Sequence, residues 1–146
     1  MELKKVLTKA LGKQEWSESA RIQLRPLVTT DITDRYLAWF GDEDVTKFLE
    51  VREISYKEAA DYIELGTATN EYFMCAICDR ATGRHIGNLK IGPIRWRHST
   101  SDMVTLIGDK TVWGKGLGKE AIQLGTRLAF NVLHLRRLSA SLLRTM

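Results

Sequence analysis

Three glycines stand within five positions of the stretch VWGKGLGKEA (112–121), at Gly114, Gly116 and Gly118. The stretch follows strand-forming residues and runs directly into helix formers, which predicts a strand, a glycine-rich turn and a helix N-terminus. Backbone N–H groups at such a turn point outward, and together with the helix dipole they favour an anion such as phosphate. Glycine suits the turn because a Cβ atom would hold the phosphate oxygens away from these donors. These residues therefore predict phosphate binding.

The glycine stretch differs from two common phosphate loops. A P-loop needs Gly-Lys followed by Ser or Thr to hold magnesium, whereas here Lys119 is followed by Glu120. A dinucleotide fingerprint needs G-x-G-x-x-G early in a parallel sheet, whereas here the spacing is G-x-G-x-G and the stretch comes late. Nucleotide hydrolysis and dinucleotide binding are therefore both disfavoured.

The cysteines and histidines predict no redox or metal site. Cys75 and Cys78 have a redox-like spacing, but YFMCAICD is typical of a buried strand, where side chains three apart point to opposite faces. We expect both to be core residues in a reducing compartment. His85 and His98 stand beside arginines and are expected at the surface, and His134 at a helix C-terminus is explained by the helix dipole. None of them stands at a metal-ligand spacing from other potential ligands.

Hydrophobic periodicity predicts the elements that must position the loop. Residues 1–15 place leucines opposite lysines at helical spacing, which predicts a short amphipathic helix packed on the domain. Thr30 or Asp31 is expected to cap a later helix, and Ser55 with Glu58 forms the capping box of another. The strand patterns cover 21–27, 71–79, 84–96, 102–108 and 136–140, with the best helix of the chain between the last two. This order predicts an antiparallel meander followed by a parallel β-α-β crossover.

Length and composition indicate one domain, 1–146. The 146 residues are 44% apolar, enough for a hydrophobic core without disulfides or metal. The chain has no apolar run of 18 residues and no signal-peptide pattern, so we expect a cytoplasmic protein that does not bind membranes. Lys and Arg outnumber Asp and Glu by 22 to 18, and this net +4 is spread along the chain. Such a mild charge argues against nucleic acid, whereas a small anionic ligand would explain it.

The glycine stretch and several other segments resemble the GNAT family of N-acetyltransferases. The segments are LRPL, RYLAWFGDEDVTKFLE, GRHIGNLKIGPI and LIGDKTVWGKGLGKEA, and the resemblance covers roughly residues 20–142. The family's coenzyme A loop reads Arg or Gln, two residues, Gly, one residue, then Gly or Ala. Trp113 stands where Arg or Gln is usual, and this WGKG pattern is similar to that of the RimJ/RimL type.

The resemblance implies an α+β fold with a mixed, mostly antiparallel sheet flanked by helices. It also implies acetyl-CoA as the co-substrate, with its pantetheine arm in a wedge where the strand 103–108 splays from the strand 137–140. The expected cofactor-binding residues are Leu106, Ile107, Gly108, Trp113, Gly114, Lys115, Gly116, Leu117 and Gly118.

The implied reaction is direct attack of a primary amine on the thioester, without a covalent enzyme intermediate. The amine could belong to an amino sugar, an amino acid or a protein N-terminus. Asp102 matches the family's usual Glu by position and chemistry, so it is the candidate base, although a solvated turn residue is an equal interpretation.

The acceptor side is expected near the helices that follow the first strand. Trp39 and Phe48 are candidates for substrate binding, with ordinary core packing as the alternative. Asp42, in a loop of three acidic residues, could attract a cationic amine or could simply be solvated.

The resemblance also implies a C-terminal truncation. In the family, another helix and two strands follow and carry a Tyr that usually serves as the acid for the thiolate, whereas this chain ends at RRLSASLLRTM. We expect the strand 136–140 to lie at an exposed edge, which a second copy could complete as a homodimer. An inactive CoA-binding or self-associating module and a purely structural protein are the alternatives to an active enzyme.

Overall fold

A computed structural model describes residues 2–46 and 54–143, which form one sheet with helices on both faces. The five strands lie in chain order and comprise β1 (Ile22–Pro26), β2 (Phe73–Asp79), β3 (His85–Arg95), β4 (Thr100–Ile107) and β5 (Arg137–Leu143). The pairs from β1 to β4 are antiparallel, and β4 pairs with β5 in parallel. The expected α+β fold with a mixed, mostly antiparallel sheet is confirmed.

The helices also follow the predicted order. They are α1 (Leu3–Leu11), α2 (Gln14–Ser17), α3 (Asp34–Gly41), α4 (Glu43–Thr46), α5 (Tyr56–Thr69) and α6 (Leu117–Arg127), which continues as a π-helical turn (Leu128–Val132). Short 3₁₀ turns cover Thr29–Asp31, Trp96–His98 and Lys110–Val112. The predicted capping box opens α5, since the Glu58 N–H donates to Ser55 Oγ (3.1 Å) and the Ser55 N–H to Glu58 Oε1 (3.2 Å).

The predicted cap of α3 was wrong. Thr33 caps this helix and accepts a hydrogen bond from the N–H of Tyr36 (3.2 Å). Asp31 cannot serve as the cap because its carboxylate accepts two hydrogen bonds from the Arg25 guanidinium and one from the N–H of Val28. The side-chain ion pair therefore competes successfully with the helix start.

Apolar clusters lie on both faces of the sheet. The larger one joins α1, the inner strands and α6, with Leu7, Leu89 and Met103 among its fully buried members. The side of α6 that carries Gly118, Ala121 and Gly125 is buried, as its small residues predict, and so is Ala129 in the π-helical turn that follows. The second cluster joins α3 and α5 to β4 through Tyr36, Trp39, Ala59 and Leu106. The loop at the start of α6 is thus held by a packed helix on a packed strand.

The cysteine prediction is confirmed. Cys75 and Cys78 are free and buried in β2, and they belong to different apolar clusters. Burial raises the pKa of the Cys75 thiol to about 12, so it stays protonated. The two residues are therefore inert core positions.

The expected wedge between β4 and β5 is absent. The two strands pair continuously from Thr100 with Arg137 to Leu106 with Leu143, and β5 extends past the predicted end at residue 140. In this closed arrangement the side chain of Leu142 packs over Gly118, where an added Cβ would lie 2.7 Å from Leu142 Cδ1. The outer side of β5 has no strand partner within the described ranges, so it forms one edge of the sheet.

Candidate functional site

The loop between β4 and α6 has the backbone that the glycines predict. Gly114 and Gly116 have φ angles of +81° and +78°, in the left-handed region that glycine adopts without strain. Gly116 is the N-cap of α6, and the N–H groups of residues 116–119 donate to no group in the described part of the chain. These donors point away from the helix at its positive end, which suits a phosphate.

The space in front of the loop is open. An added Cβ at Gly114 would meet nothing within 4 Å, and one at Gly116 would meet only Nη2 of Arg21, at 3.5 Å. By contrast, Gly118 lies beneath Leu142 and serves packing. The first two glycines of the stretch therefore leave room for a phosphate, and the third glycine lets the chain pack closely.

Glu120 ties the loop to the start of β1. Its Oε1 accepts hydrogen bonds from Ser19 Oγ (2.7 Å) and the N–H of Arg21 (3.0 Å), and its Oε2 accepts one from Arg21 Nε (2.5 Å). Arg21 Nη1 also donates to the carbonyl of Lys115 (2.7 Å). Burial opposes ionisation of Glu120, but these hydrogen bonds outweigh it and lower the pKa of its carboxyl group.

Asp109 anchors the other end of the loop. Its buried carboxylate forms ion pairs with Arg35 and Arg84, both at 3.0 Å, and accepts hydrogen bonds from the N–H and hydroxyl of Thr111. Burial raises the pKa of Asp109, but the hydrogen bonds from Thr111 and the two guanidinium groups outweigh it, so the pKa lies below its ordinary value. Ion pairs therefore fix both ends of the connection between β4 and α6, at Asp109 and at Glu120.

The predicted cofactor residues on β4 lie directly beside the loop. The carbonyl of Ile107 accepts a hydrogen bond from Trp113 Nε1 (2.8 Å), and the N–H of Gly108 donates to the carbonyl of Ile86 (3.0 Å). Leu106 is paired with both neighbouring strands. The main-chain groups that the resemblance implies to be free for pantetheine are thus partly engaged within the protein.

A match to a known family accounts for this arrangement. Residues 21–144 match the model described as the acetyltransferase (GNAT) domain. The chain belongs to the GNAT acetyltransferase family. The resemblance to the GNAT family and the enzyme class that it implies are confirmed by this match, which spans β1 to β5. A search of the curated proteins found no match.

Solved structures of other proteins share the GNAT fold. Spermidine N-acetyltransferase from Vibrio cholerae, in complex with CoA and spermine, has a TM-score of 0.74 and 17% identity over 84% of this chain and 71% of that one. A putative ribosomal-protein-serine acetyltransferase from Vibrio cholerae has a TM-score of 0.67 and 18% identity, over 84% and 71%. A domain from Methanocaldococcus jannaschii DSM 2661 has a TM-score of 0.66 and 16% identity, over 82% and 75%. At these identities the likeness shows the fold alone.

In this GNAT domain, Asp102 lies toward the opposite end of β4 from the loop. It lies five positions before Ile107, which corresponds to about 16 Å along a strand. Its side chain is half-exposed and forms an ion pair with Arg95, with 3.2 Å between Asp102 Oδ1 and Arg95 Nη2. Its neighbour across the β5 pairing is Ser139. The carboxylate is therefore accessible, and an exposed cation is its partner.

Trp39 is buried beneath Gly108 rather than exposed to a substrate. Its indole covers the glycine so closely that an added Cβ at Gly108 would overlap the ring. Trp39 also contacts the ring of His85 edge-on, with the centroids 5.0 Å apart. The alternative interpretation of Trp39 as a core residue thus accounts for its position.

The expectation of a surface position for His85 was wrong. Its Nε2 lies 2.8 Å from the carbonyl of Gly87 and 2.9 Å from Asn88 Oδ1, and its ring stacks on Tyr36. Burial lowers the pKa of His85 despite these acceptors, which favours the neutral imidazole. The exposed neighbour Arg84 does not predict the position of His85, because successive residues of a strand point to opposite faces. His98 is exposed as expected, and His134 is also exposed.

Asp42 lies close to the β4–α6 connection. It follows α3, and Oδ2 of its carboxylate is 2.9 Å from Lys110 Nζ, which also contacts Asp44 (3.1 Å). The hydrogen bond from Lys110 lowers the pKa of Asp42. Phe48, the remaining candidate for substrate binding, lies outside the described residues.

Periodicity and motif matching missed Arg21 and Glu120 as parts of the site. In the sequence, Glu120 serves only to exclude a P-loop, and Arg21 serves only to mark the start of a strand pattern. No local signal links them because they are 99 residues apart. Within the described ranges, no group of three or more His, Cys, Asp or Glu could hold a metal, and no helix is long and apolar enough to cross a membrane.

Proposed function

We propose that this chain transfers an acetyl group from acetyl-CoA to a primary amine by direct attack of the amine on the thioester. The observation that carries the proposal is the open loop at residues 113–118 inside a matched GNAT domain, where the N–H groups of residues 116–119 have no partner in the described part of the chain. The loop residues would hold the pyrophosphate, and Leu106, Ile107 and Gly108 would contact the pantetheine arm. Acetyl-CoA would supply the activated acyl group, so the protein must position the amine and remove its proton.

Asp102 is the proposed base. Its half-exposed carboxylate can accept the ammonium proton, and the exposed guanidinium of Arg95 lies 3.2 Å from it. Asp42 and Phe48 are proposed to line the acceptor side, where the Asp42 carboxylate also forms an ion pair with Lys110. Trp39 would act there through Gly108, which it supports from below.

The acceptor is proposed to be an amino sugar, an amino acid or a protein N-terminus, as in RimJ/RimL-type enzymes. The WGKG pattern at Trp113 supports this subgroup. The names of the similar structures add a polyamine and a ribosomal protein to the amines worth testing. A cytoplasmic location fits the two free, buried cysteines.

A homodimer that completes the sheet at β5 is part of the same proposal. The outer side of this strand has no partner within the described ranges, and unpaired backbone groups at an edge favour pairing with another strand. A spermidine N-acetyltransferase of similar fold has been solved as a dodecamer. Light scattering of the purified chain would measure the oligomeric state directly.

The closed pairing of β4 with β5 favours a second candidate, an inactive CoA-binding module. The pantetheine arm can enter the expected wedge only if residues 141–143 leave β4 and Leu142 leaves Gly118. Hydrogen exchange distinguishes the two candidates, because the active enzyme requires faster amide exchange at residues 142 and 143 when acetyl-CoA is bound. Slower exchange there, with no product from any amine, would favour the inactive module.

Calorimetric titration with acetyl-CoA tests the proposed function. We expect saturable binding by the wild type and its loss in Gly116→Asp, because the new carboxylate would occupy the place of a phosphate and repel it. An amine screen with detection of free CoA would then identify the acceptor. A folded, monodisperse wild type that does not bind acetyl-CoA would refute the proposal, and equal binding by Gly116→Asp would refute the assignment of the loop.

A further inference from the structure

The guanidinium of Arg21 lies beside the loop although the residue precedes the far edge strand of the sheet. β1 and β5 are the two edges, and the loop follows β4. Arg21 reaches it because Glu120 in the first turn of α6 holds its Nε, and the carbonyl of Lys115 holds its Nη1. The side chain is nevertheless about half exposed, at 52%. It is thus a cation fixed in place at an open surface.

One end of this guanidinium has no hydrogen-bond partner among the residues that the structure describes. Arginine carries five N–H donors, and Nε and Nη1 of Arg21 are the atoms engaged by Glu120 and Lys115. Nη2 donates to no residue within 2–46 and 54–143, and it faces Gly116, 3.5 Å from the position of an added Cβ. The free N–H groups of Arg21 therefore border the same space as the free N–H groups of residues 116–119.

The held orientation has a chemical consequence. A guanidinium that a carboxylate and a carbonyl fix on two sides loses little side-chain entropy when it binds an anion. Hydrogen bonds from a charged guanidinium to phosphate are stronger than those from neutral N–H groups. The contacts of Nε with Glu120 and of Nη1 with the Lys115 carbonyl leave Nη2 directed at the space in front of Gly116.

We propose that Arg21 is a phosphate-binding residue that donates from Nη2 to the pyrophosphate of acetyl-CoA while Glu120 and the Lys115 carbonyl orient it. This inference rests on the proposed function. It adds a charged side chain to a site otherwise made of main-chain donors. Glu120 is then a positioning residue, since it acts on the ligand through Arg21.

The test compares ligands as well as variants. Acetyl-CoA, 3′-dephospho-CoA and acetyl-pantetheine are titrated into the wild type and Arg21→Gln, with competition against acetyl-CoA for the weakest ligand. Losing a charge-assisted hydrogen bond should weaken the two pyrophosphate-containing ligands about 10- to 100-fold. Acetyl-pantetheine, which lacks the pyrophosphate, should bind equally to both proteins. Arg21→Lys, which keeps the charge without the planar fork, should lie between them.

Arg80→Gln is the matched control. Arg80 forms an ion pair with Glu18 (3.4 Å), donates to the carbonyl of Ser19 (2.7 Å) and is similarly exposed, at 43%. It supports the same segment without bordering the loop, so its loss should leave acetyl-CoA binding unchanged. Equal weakening by Arg80→Gln and Arg21→Gln would mean that the segment matters only structurally, and would overturn the inference.

Other outcomes are equally decisive. Unchanged binding of acetyl-CoA by Arg21→Gln would overturn the inference, and weakening confined to ligands with the 3′-phosphate would assign Arg21 to that group instead. A wild type that binds no acetyl-CoA would refute the proposed function itself. If Arg21→Gln does not fold, phenylglyoxal labelling of arginines in the wild type replaces the titration of that variant. Acetyl-CoA and inorganic pyrophosphate should each protect Arg21 from labelling. Lack of protection by both ligands would overturn the inference.

Discussion

Replacing Gly116 by alanine separates the cost of backbone strain from the cost of losing a phosphate site. Gly116 has a φ of +78°, so an alanine there would be held in the left-handed region at a cost of about 1 kcal/mol in the free energy of unfolding. Gly83, in the turn between β2 and β3, has a φ of +75°, and an added Cβ there meets nothing within 4 Å. Gly83→Ala therefore has the same strain at a position outside the glycine-rich loop.

The two variants should differ in binding. The new Cβ at position 116 would lie 3.5 Å from Arg21 Nη2, in the space that the free N–H groups also face. If a phosphate occupies that space, it must move away from these donors, and losing one charge-assisted hydrogen bond weakens binding at least about tenfold. Gly83→Ala should bind acetyl-CoA as the wild type does.

Two measurements on each protein decide the matter. Thermal unfolding without ligand should show both melting temperatures lowered by about 2–5 °C, because the strain is alike. Calorimetric titration with acetyl-CoA should show weaker binding for Gly116→Ala alone. Equal dissociation constants of the two variants for acetyl-CoA would refute the assignment of Gly116 to a phosphate site, because no phosphate would then occupy the open space at the loop.

Three further predictions follow from the site. Asp102→Asn should lower kcat about 10²- to 10⁴-fold. Arg95→Gln breaks the same exposed ion pair but should retain activity. Similar losses of kcat for both variants in steady-state assays would contradict a role for Asp102 as the base. Gly108→Ala should lower the free energy of unfolding by about 1–3 kcal/mol in urea, because its Cβ overlaps the buried indole of Trp39, and an unchanged urea midpoint would show that the ring moves aside easily. Asp109 has a pKa below its ordinary value of 3.8, so its stabilising contribution is complete above that value and is lost as the pH falls through the lowered pKa. The stability gap between wild type and Asp109→Asn should therefore be largest near neutral pH and narrow below about pH 4, and a gap independent of pH would contradict the ion pairing.

Periodicity recovered the order of the elements because each one has its own apolar pattern. The predicted strands 71–79 and 84–96 correspond to β2 and β3 within two residues at each end. The end of β5 was missed because it depends on Leu142 packing over Gly118, a contact between distant parts of the chain. The loop was found because glycine types and spacing are local signals.

Side-chain pairing explains most of the remaining differences. Asp31 looked like a helix cap, but the Arg25 guanidinium occupies its carboxylate. His85 looked exposed beside an arginine, but its ring stacks on Tyr36 within the second cluster. Each of these outcomes depends on a neighbour that the fold supplies, and the local sequence contains no trace of it.

The hydrogen bonds that join Ser19 and Arg21 to Glu120 make the geometry of the loop depend on contacts between distant parts of the chain. The contact joins residues that are 99 positions apart, so it requires parts of the chain that the strands bring together. A peptide that contains only the loop and α6 would lack the contacts that hold Lys115 and Glu120. Conversely, fraying of β1 releases the first turn of α6, and a ligand that fixes the loop slows that fraying. The amides of β1, at the far edge of the sheet, thereby report on events at the loop.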